Sequence, residues 1–308
     1  MPHIDGIPER KLANEYDLSE GAVHKIIVSE LSALPENSWL TKEHAGIYSG
    51  ILVLDGKYVK VRGYEKKIPL LWGIDYLTHD IPVMLLVPSE NEIAFSRYFG
   101  ILQETGYIPT IVVVDDRAGI ATALRRHFPH AKVQLCHVHY LENLRNSLKV
   151  RTETRHIEFF LKVRELLKLR DLSTLKRRVG ELVLHYEQVN VVYQQIVLGI
   201  WGRRRELFAY LSVPECPNNT NLIELYNSHL NGRLKTVKGF KSFHSASRWL
   251  NAYVVRRRTK ELTDCEGKFK HLNGRCSLEI ASKNVAAVEK LKEKLAGKRE
   301  KNAPKSER

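Results

Sequence analysis

The spacing of apolar residues changes several times along this chain, and each change predicts a different kind of element. Between residues 8 and 31 apolar positions recur with helical spacing, and Ser19 is suited to cap a second short helix. The pattern predicts two helices joined by a turn, as in a helix-turn-helix, although any helical hairpin would produce it.

Short runs of aliphatic and β-branched side chains begin at residue 51 and predict strands. The first run covers residues 51–54, ends at Asp55-Gly56, and is continued by residues 58–62. Two further strands are predicted over residues 68–76 and 81–87. Because only short polar turns separate these runs, they predict an antiparallel meander.

Helices and strands alternate in the next segment of the chain. Residues 92–105 and 118–128 have helical periodicity, whereas residues 110–114 and 132–135 are short apolar runs. Strands separated by helices pair in parallel, so the meander should continue into parallel strands. The sequence therefore predicts a mixed sheet in an α/β fold.

Apolar residues have helical spacing throughout residues 141–211, which predicts a series of helices. Pro214 and Pro217 then predict a break in the helical structure. Further helices are predicted from about residue 220 to 233 and over 245–257. Residues from 283 onward are rich in Lys and Glu and predict a partly helical, basic end with a disordered tip.

Composition indicates a folded chain without a membrane anchor. Hydrophobic residues make up 43% of the sequence, and no apolar run approaches the roughly 18 residues of a membrane span. The N-terminus lacks the pattern of a signal peptide, and four scattered cysteines do not form a disulfide framework. We therefore expect a soluble, reduced, intracellular protein.

Positive charge is concentrated in the second half of the chain. The net charge is +14, and residues 1–50 carry 4 Lys and Arg against 8 Asp and Glu, whereas residues 151–308 carry 33 against 17. This asymmetry predicts a polyanionic partner such as nucleic acid. A basic surface that only confers solubility would have the same composition.

Two aspartates directly follow apolar strands of the predicted sheet. Asp55 ends the first strand and Asp115 ends the fourth, and the ends of neighbouring parallel strands meet at one sheet edge. Their carboxylates could therefore converge on one metal site. Taken singly, Asp55-Gly56 is a common turn pair, so the metal interpretation depends on both aspartates together.

A third acidic ligand is needed, and Glu224 is the best candidate. It lies on the helix after the proline break, with Asn227 and Asn231 on the same polar stripe. The alternative is an exposed helical Glu without a role in chemistry, which is the usual situation of this residue type.

These segments resemble, in the same order, the DDE transposases of the Mutator-like group and their bacterial Mutator-type insertion-sequence relatives. LVLDGKYVKV and IVVVDDRAGI resemble the strands of the first and second catalytic aspartates. VQLCHVHYLENLR carries their Cys-x-x-His at Cys136 and His139. Residues 218–246 resemble the helix of the third acid with its following basic stretch, and residues 272–281 resemble a C-terminal segment of related transposases.

The sequence departs from the family pattern at the second aspartate, where Asp-Gly is common and this chain has Asp115-Asp116. In the family the catalytic aspartate lies four residues before a glycine. Gly119 therefore favours Asp115 over Asp116.

The resemblance implies an RNase H-like mixed sheet interrupted by an all-α insertion. The corresponding divisions are a helix-turn-helix-like domain at 1–48, the core at 49–140, the insertion at 141–213, the second part of the core at 214–262, and a basic arm at 263–308. It also implies strand cleavage and strand transfer with two Mg²⁺ or Mn²⁺ ions held by Asp55, Asp115 and Glu224.

The implied partners are terminal inverted repeats, target DNA and at least one further copy of the chain. A prokaryotic protein of this kind would act in the cytoplasm at the nucleoid, and a eukaryotic one in the nucleus. Cys136, His139 and Asn227 are assigned supporting roles at the site, with zinc binding by Cys136 and His139 as the alternative.

Basic residues near the third acid in sequence are predicted to contact DNA phosphates, although a solvated face is the simpler explanation. They are Arg203, Arg204, Arg205, Arg233, Lys235, Lys238, Lys241, Arg256, Arg257 and Arg258.

Two other functions remain open. A transposase-derived DNA-binding protein without catalysis would share the fold and the basic surface. An RNase H-like nuclease or resolvase would need neither the helical insertion nor the N-terminal helices. Inverted repeats flanking the gene would favour the transposase.

Overall fold

Five aliphatic runs form one sheet in the computed structural model of this protein, which describes residues 2–300, with side chains to residue 295. The strands are β1 (Ile51–Val59), β2 (Ile68–Asp75), β3 (Met84–Leu86), β4 (Ile111–Val114) and β5 (Lys132–Leu135). The order across the sheet is β3-β2-β1-β4-β5. The first three strands pair antiparallel, while β4 is parallel to both β1 and β5, which confirms the predicted mixed α/β sheet.

Helices surround the sheet. In chain order they are α1 (Glu9–Glu15), α2 (Glu20–Ser32), α3 (Asn37–His44), α4 (Glu92–Glu104), α5 (Ile120–His127), α6 (His137–Ser147), α7 (Ile157–Leu167), α8 (Leu172–Tyr186), α9 (Val191–Gly202), α10 (Arg204–Leu207), α11 (Asn221–Val237), α12 (Phe243–Thr259), α13 (Ser277–Ile280) and α14 (Val285–Glu300). Within residues 2–300, no helix combines the length and the apolar character needed to cross a membrane.

Side chains that alternate along β2 show which helices cover each face of the sheet. The Trp72 ring lies 6.3 Å from that of Tyr226 on α11 and 6.5 Å from that of Tyr253 on α12. Gly73 points to the other face, where an added Cβ would lie only 2.6 Å from the hydroxyl oxygen of Tyr98 on α4. Because successive strand residues point to opposite faces, α11 and α12 cover one face and α4 covers the other.

The sequence predicted that the first strand ends at Asp55, but the strand continues beyond this residue in the structure. β1 continues through Asp55 and Gly56, which pair with Trp72 and Leu71 of β2. The turn preference of Asp-Gly is overridden because an eight-residue ladder with β2 satisfies the backbone on both sides of this pair. Gly56 instead makes room for a side chain, since an added Cβ would lie 2.9 Å from Oε1 of Glu90.

The predicted strand at 81–87 is much shorter in the structure, where only Met84–Leu86 pairs with β2. Pro82 lacks an N–H group for a sheet ladder. The carbonyl groups of Ile81 and Pro82 accept hydrogen bonds from Asn37, and Pro82 also accepts one from Thr41, so this stretch bonds to α3 instead.

The N-terminal helices form as predicted, and the Ser19 side chain caps α2 by accepting a hydrogen bond from the Ala22 amide. Val23, Ile27 and Leu31 recur at helical spacing on the buried side of α2. A third helix, α3, was not predicted.

Between β5 and α11 all regular elements are helical, from α6 to α10. Their core is aromatic: the rings of Phe159 and Tyr193 stack with their centroids 3.9 Å apart. The prediction that this segment is helical is therefore confirmed. Its last turns lead directly into the loop before α11.

Part of the predicted basic arm is instead built into the fold. Leu272, Cys276 and Leu278 are buried, and the Ser277 hydroxyl donates to the carboxylate of Asp80 at 2.9 Å. A backbone bridge also joins Ser282 to Ala45. The prediction of a basic arm that begins at residue 263 is therefore wrong, because apolar side chains at 272–281 are buried against the rest of the fold. The helical part of the predicted tail is α14, and the tip from residue 301 lies outside the described residues.

Candidate active site

Asp55 and Asp115 lie side by side on neighbouring strands. Val53 of β1 is in register with Val113 of β4, and each aspartate is two residues beyond its valine. Since parallel strands in register place such residues on one face at one level, both carboxylates belong to the face covered by α11. Asp115 directly follows β4, as predicted, whereas Asp55 lies inside β1.

Asn227 connects α11 to β1 and β2. Its amide nitrogen donates to Oδ2 of Asp55 at 2.8 Å, and its amide oxygen accepts from the Trp72 indole at 3.0 Å. An indole nitrogen can only donate, so the amide oxygen must face Trp72 and the NH₂ group must face Asp55. Of the predicted polar stripe, Asn227 turns toward Asp55, whereas Asn231 is exposed.

Glu224 lies one turn before Asn227 on the same helix. Its Oε1 accepts a hydrogen bond from the Thr220 hydroxyl at 3.0 Å and lies 3.8 Å from Nε2 of His139. The side chain is 43% exposed, so it can still turn toward a ligand. The structure therefore brings the third predicted acid to the same end of the sheet through contacts with Thr220 and His139.

Cys136 and His139 lie at the start of α6, beside Glu224. The Thr220 hydroxyl is 3.3 Å from both Sγ of Cys136 and Nδ1 of His139. A hydrogen bond with Cys136, together with the charges of Asp115 and Glu224, raises the pKa of His139 to about 9. Burial alone would raise the pKa of Cys136, but hydrogen bonds with His139 and Thr220 lower it.

Cys136 and His139 thus lie beside Glu224, and their supporting role stays a prediction. Among the residues that the structure describes, no three His, Cys, Asp or Glu side chains are arranged to hold one ion. This holds for Cys136 and His139 and equally for Asp55, Asp115 and Glu224.

The surroundings of Asp55 disfavour its charged form when no cation is present. Burial raises the pKa of Asp55, and the charges of Glu90 and Asp115 raise it further, against the amide of Gly56 and the charge of His139. Carboxylate oxygens are the ligands that Mg²⁺ prefers, so the donor set suits this ion.

The three acids are not arranged to hold one shared ion, and each carboxylate contacts a protein group instead. Asp115 lies 3.3 Å from Nε of Arg117, Asp55 is bonded to Asn227, and Glu224 to Thr220. The donor chemistry therefore fits a divalent cation, whereas binding one would require these side chains to exchange partners.

The sequence did not reveal Glu90 and Arg117 as neighbours of the aspartates. Glu90 precedes α4, accepts a hydrogen bond from the Tyr58 hydroxyl, and lies against Gly56. No periodicity marks a glutamate in a polar turn, and only the glycine opposite it could have suggested a close contact.

Asp55, Asp115 and Glu224 are called the acidic cluster below, and Asp116 points away from them. Its two carboxylate oxygens accept hydrogen bonds from Arg203 at 2.6 and 2.8 Å, which joins β4 to the end of α9. The choice of Asp115 over Asp116 as the site residue stays a prediction. Arg203 also bonds to Glu206, so a DNA contact by Arg203 would have to break these pairs.

The predicted DNA contact at Arg258 is wrong. Arg258 is fully buried, and its guanidinium donates to both carboxylate oxygens of Asp80 at 2.9 and 2.6 Å. It also bonds to Asn37 and Thr41 of α3. Arg258 follows Val254 and Leu250 at intervals of four on α12, so it belongs to the buried side of that helix.

The other predicted basic residues remain candidates for DNA contact. Arg256 is paired with Asp5, Arg257 lies over the ring of Tyr226, and Arg204 lies over the ring of Trp201. The side chains that are exposed are Arg205, Arg233, Lys235, Lys238 and Lys241.

Acidic side chains of β1, of the residue after β4 and of α11 thus lie at one region of a mixed α/β sheet. The chain belongs to the Mutator family of transposases, because the model for "Transposase, Mutator family" matches residues 5–262.

Among curated proteins, the chain is similar to the transposase for insertion sequence element IS256 in transposon Tn4001 from Staphylococcus aureus. The two are 24% identical over 266 residues, which cover 82% of this chain and 67% of the relative. It is also 24% identical over 263 residues to the transposase for insertion sequence element ISRM5 from Rhizobium meliloti, covering 82% and 63% of the two chains. The resemblance found from the motifs is therefore confirmed.

Proposed function

We propose that this chain is a DNA transposase that cleaves DNA strands and joins them to target DNA, with Asp55, Asp115 and Glu224 as its acidic triad. The observation that carries the proposal is the bond from Asn227 to Asp55, because it directs the helix of Glu224 toward the two aspartates. Membership of the Mutator family supports the same assignment.

The three carboxylates would hold two Mg²⁺ or Mn²⁺ ions, which supply Lewis-acid stabilisation of charge on phosphate oxygens. The chain's own residues would orient these ligands. Asn227 fixes one oxygen of Asp55, and Thr220 fixes one oxygen of Glu224. Arg117 would leave Asp115 when a cation binds there, since a guanidinium and a cation compete for the same oxygen.

We further infer an RNase H-like core from the strand order β3-β2-β1-β4-β5, with α6 to α10 as the insertion and α1 and α2 as a helix-turn-helix. The exposed Lys and Arg side chains would contact the phosphates of the element ends and of the target. We expect at least two copies of the chain on DNA, and the bacterial relatives favour action at a nucleoid.

The experiment is a cleavage and strand-transfer assay on duplex DNA carrying the ends of the element, with Mg²⁺ or Mn²⁺. We expect the parent to cleave and join. Asp115→Asn keeps the shape of the side chain and should bind the ends while losing both reactions. A parent that binds ends but cleaves with neither metal would make the non-catalytic DNA-binding protein the better assignment.

A further inference from the structure

A second concave surface lies on the side of α11 that faces away from the acidic cluster. It has a volume of about 470 Å³ and is formed by the N-terminal segment, α11, α12 and the residues after α12. His229 and Arg233 reach it from positions about half a turn round the helix from Glu224. We call this surface the α11–α12 cleft.

Positive charge exceeds negative charge in the α11–α12 cleft. Four cationic side chains line it, Arg233, Arg256, Arg257 and Lys260, whereas the only carboxylates among its lining residues are those of Asp5 and Asp264. His229 of the same cleft experiences this positive charge. Burial and the charges of Arg257 and Arg233 lower the pKa of His229, although the carboxylate of Asp264, 3.7 Å away, acts to raise it.

The cleft also has donors and space for an anionic ligand. The Arg257 guanidinium lies 4.8 Å over the centre of the Tyr226 ring, which fixes its position, and its Nη2 lies 3.8 Å from Oδ1 of Asp264. Gly232 leaves the adjacent surface of α11 open, because an added Cβ there would meet nothing within 4 Å. A ligand with several acceptor oxygens could therefore approach the helix closely.

An anion of the chain itself already occupies the edge of the cleft. Oδ2 of Asp5 accepts from Nη2 of Arg256 at 2.9 Å, and Oδ1 accepts from Nε at 3.2 Å, which is the forked geometry that arginine offers to phosphate. The neighbouring Ile4 is buried and anchors the segment. Burial would raise the pKa of Asp5, but the hydrogen bond and charge of Arg256 lower it, so the cleft stabilises a bound anion.

We propose that the α11–α12 cleft binds a phosphodiester of DNA, and that Asp5 takes the place of this phosphate until DNA displaces it. The inference rests on the proposed function, since DNA is the expected partner. It adds a defined site away from the acidic cluster and a competitor within the chain.

The first test removes two exposed cations of the cleft, which do not hold the fold. Binding of a short duplex of arbitrary sequence is measured in EDTA at several salt concentrations for Arg233→Gln/Lys260→Gln. The slope of log affinity against log salt should become shallower by about 2, because each lost phosphate contact removes about 0.9. Lys176→Gln/Arg178→Gln on α8 removes the same charge elsewhere and should change the slope much less.

The second test removes the competitor. Asp5→Asn should bind the duplex about two- to fivefold more tightly, because DNA no longer has to break the pair with Arg256. Its thermal midpoint should be unchanged or lower. Glu15→Gln removes an equal charge from exposed α1 and should have a smaller effect on binding.

An unchanged salt slope in Arg233→Gln/Lys260→Gln, an equal change in the α8 control, or no tighter binding by Asp5→Asn than by Glu15→Gln would each overturn the proposal. These measurements need no cleavage. A chain that shows the cleft effects but never cleaves would contradict the proposed catalysis and leave the cleft assignment standing.

Discussion

Asn227 provides a quantitative test of how α11 is docked on the sheet. Asn227→Ala would remove the acceptor of the fully buried Trp72 indole and the donor to Asp55. An unsatisfied buried donor costs about 1–3 kcal/mol, and a lost bond to a charged group about 1.5–3 kcal/mol. Water can reach partly buried Asp55, so we expect the free energy of unfolding to fall by about 3 kcal/mol.

The loss should be visible in a thermal unfolding experiment followed by circular dichroism. At about 2–4 °C per kcal/mol for a domain of this size range, the midpoint should fall by roughly 6–12 °C. Asn231→Ala is the matched control, because Asn231 is exposed one turn further along α11. Equal midpoints for the two variants would show that Asn227 does not make the described bonds.

Asn227→Asp separates the two contacts of this side chain. The introduced carboxylate can still accept from Trp72, but it would lie against Asp55, whose pKa is already raised by burial. A carboxyl group with a raised pKa in the folded state binds more protons there than in the unfolded state. Stability relative to the parent should therefore fall as pH rises from about 4, the unfolded value, toward neutral, and recover in acid. A difference from the parent that does not change with pH would refute the contact with Asp55.

The remaining predictions concern the second aspartate, the buried arginine and the metal. Asp116→Asn should retain cleavage and lower the unfolding free energy by about 0.5–1 kcal/mol, because its pair with Arg203 is partly exposed; loss of cleavage would favour Asp116 as the ligand. Arg258→Leu should lower the unfolding free energy in urea by about 3–5 kcal/mol, since it leaves Asp80 charged and buried, and a change like that of Arg257→Gln would contradict this. Mg²⁺ at about ten times its Kd should stabilise the parent by about 1.4 kcal/mol and Asp115→Asn much less; an equal gain in both would argue against a cation at Asp115.

Elements with strong apolar periodicity could be predicted from the sequence alone. The bounds of β5 agree with the prediction, and α4 differs by one residue, because buried side chains determine both. The strand end predicted at Asp55 is wrong, because the ladder with β2 continues through Asp55 and Gly56. The contact of Glu90 with Gly56 could not be predicted, since tertiary packing alone brings these residues together. Arg117 and Thr220, in contrast, are close in sequence to the acids that they contact.

The three consecutive arginines 256–258 show why charge and periodicity must be considered together. As a charged run they predict a solvated face or a DNA contact. The helical repeat of α12 assigns them three different environments: Arg256 bonds to Asp5, Arg257 lies over Tyr226, and Arg258 is fully buried.

The tandem aspartates after β4 follow the same geometry, because successive side chains leave a strand in opposite directions. Asp115 faces the acidic cluster, while Asp116 turns toward Arg203 at the end of the helical insertion. A single peptide bond thus separates Asp115, the proposed metal ligand, from Asp116, which bonds to Arg203 at the end of α9.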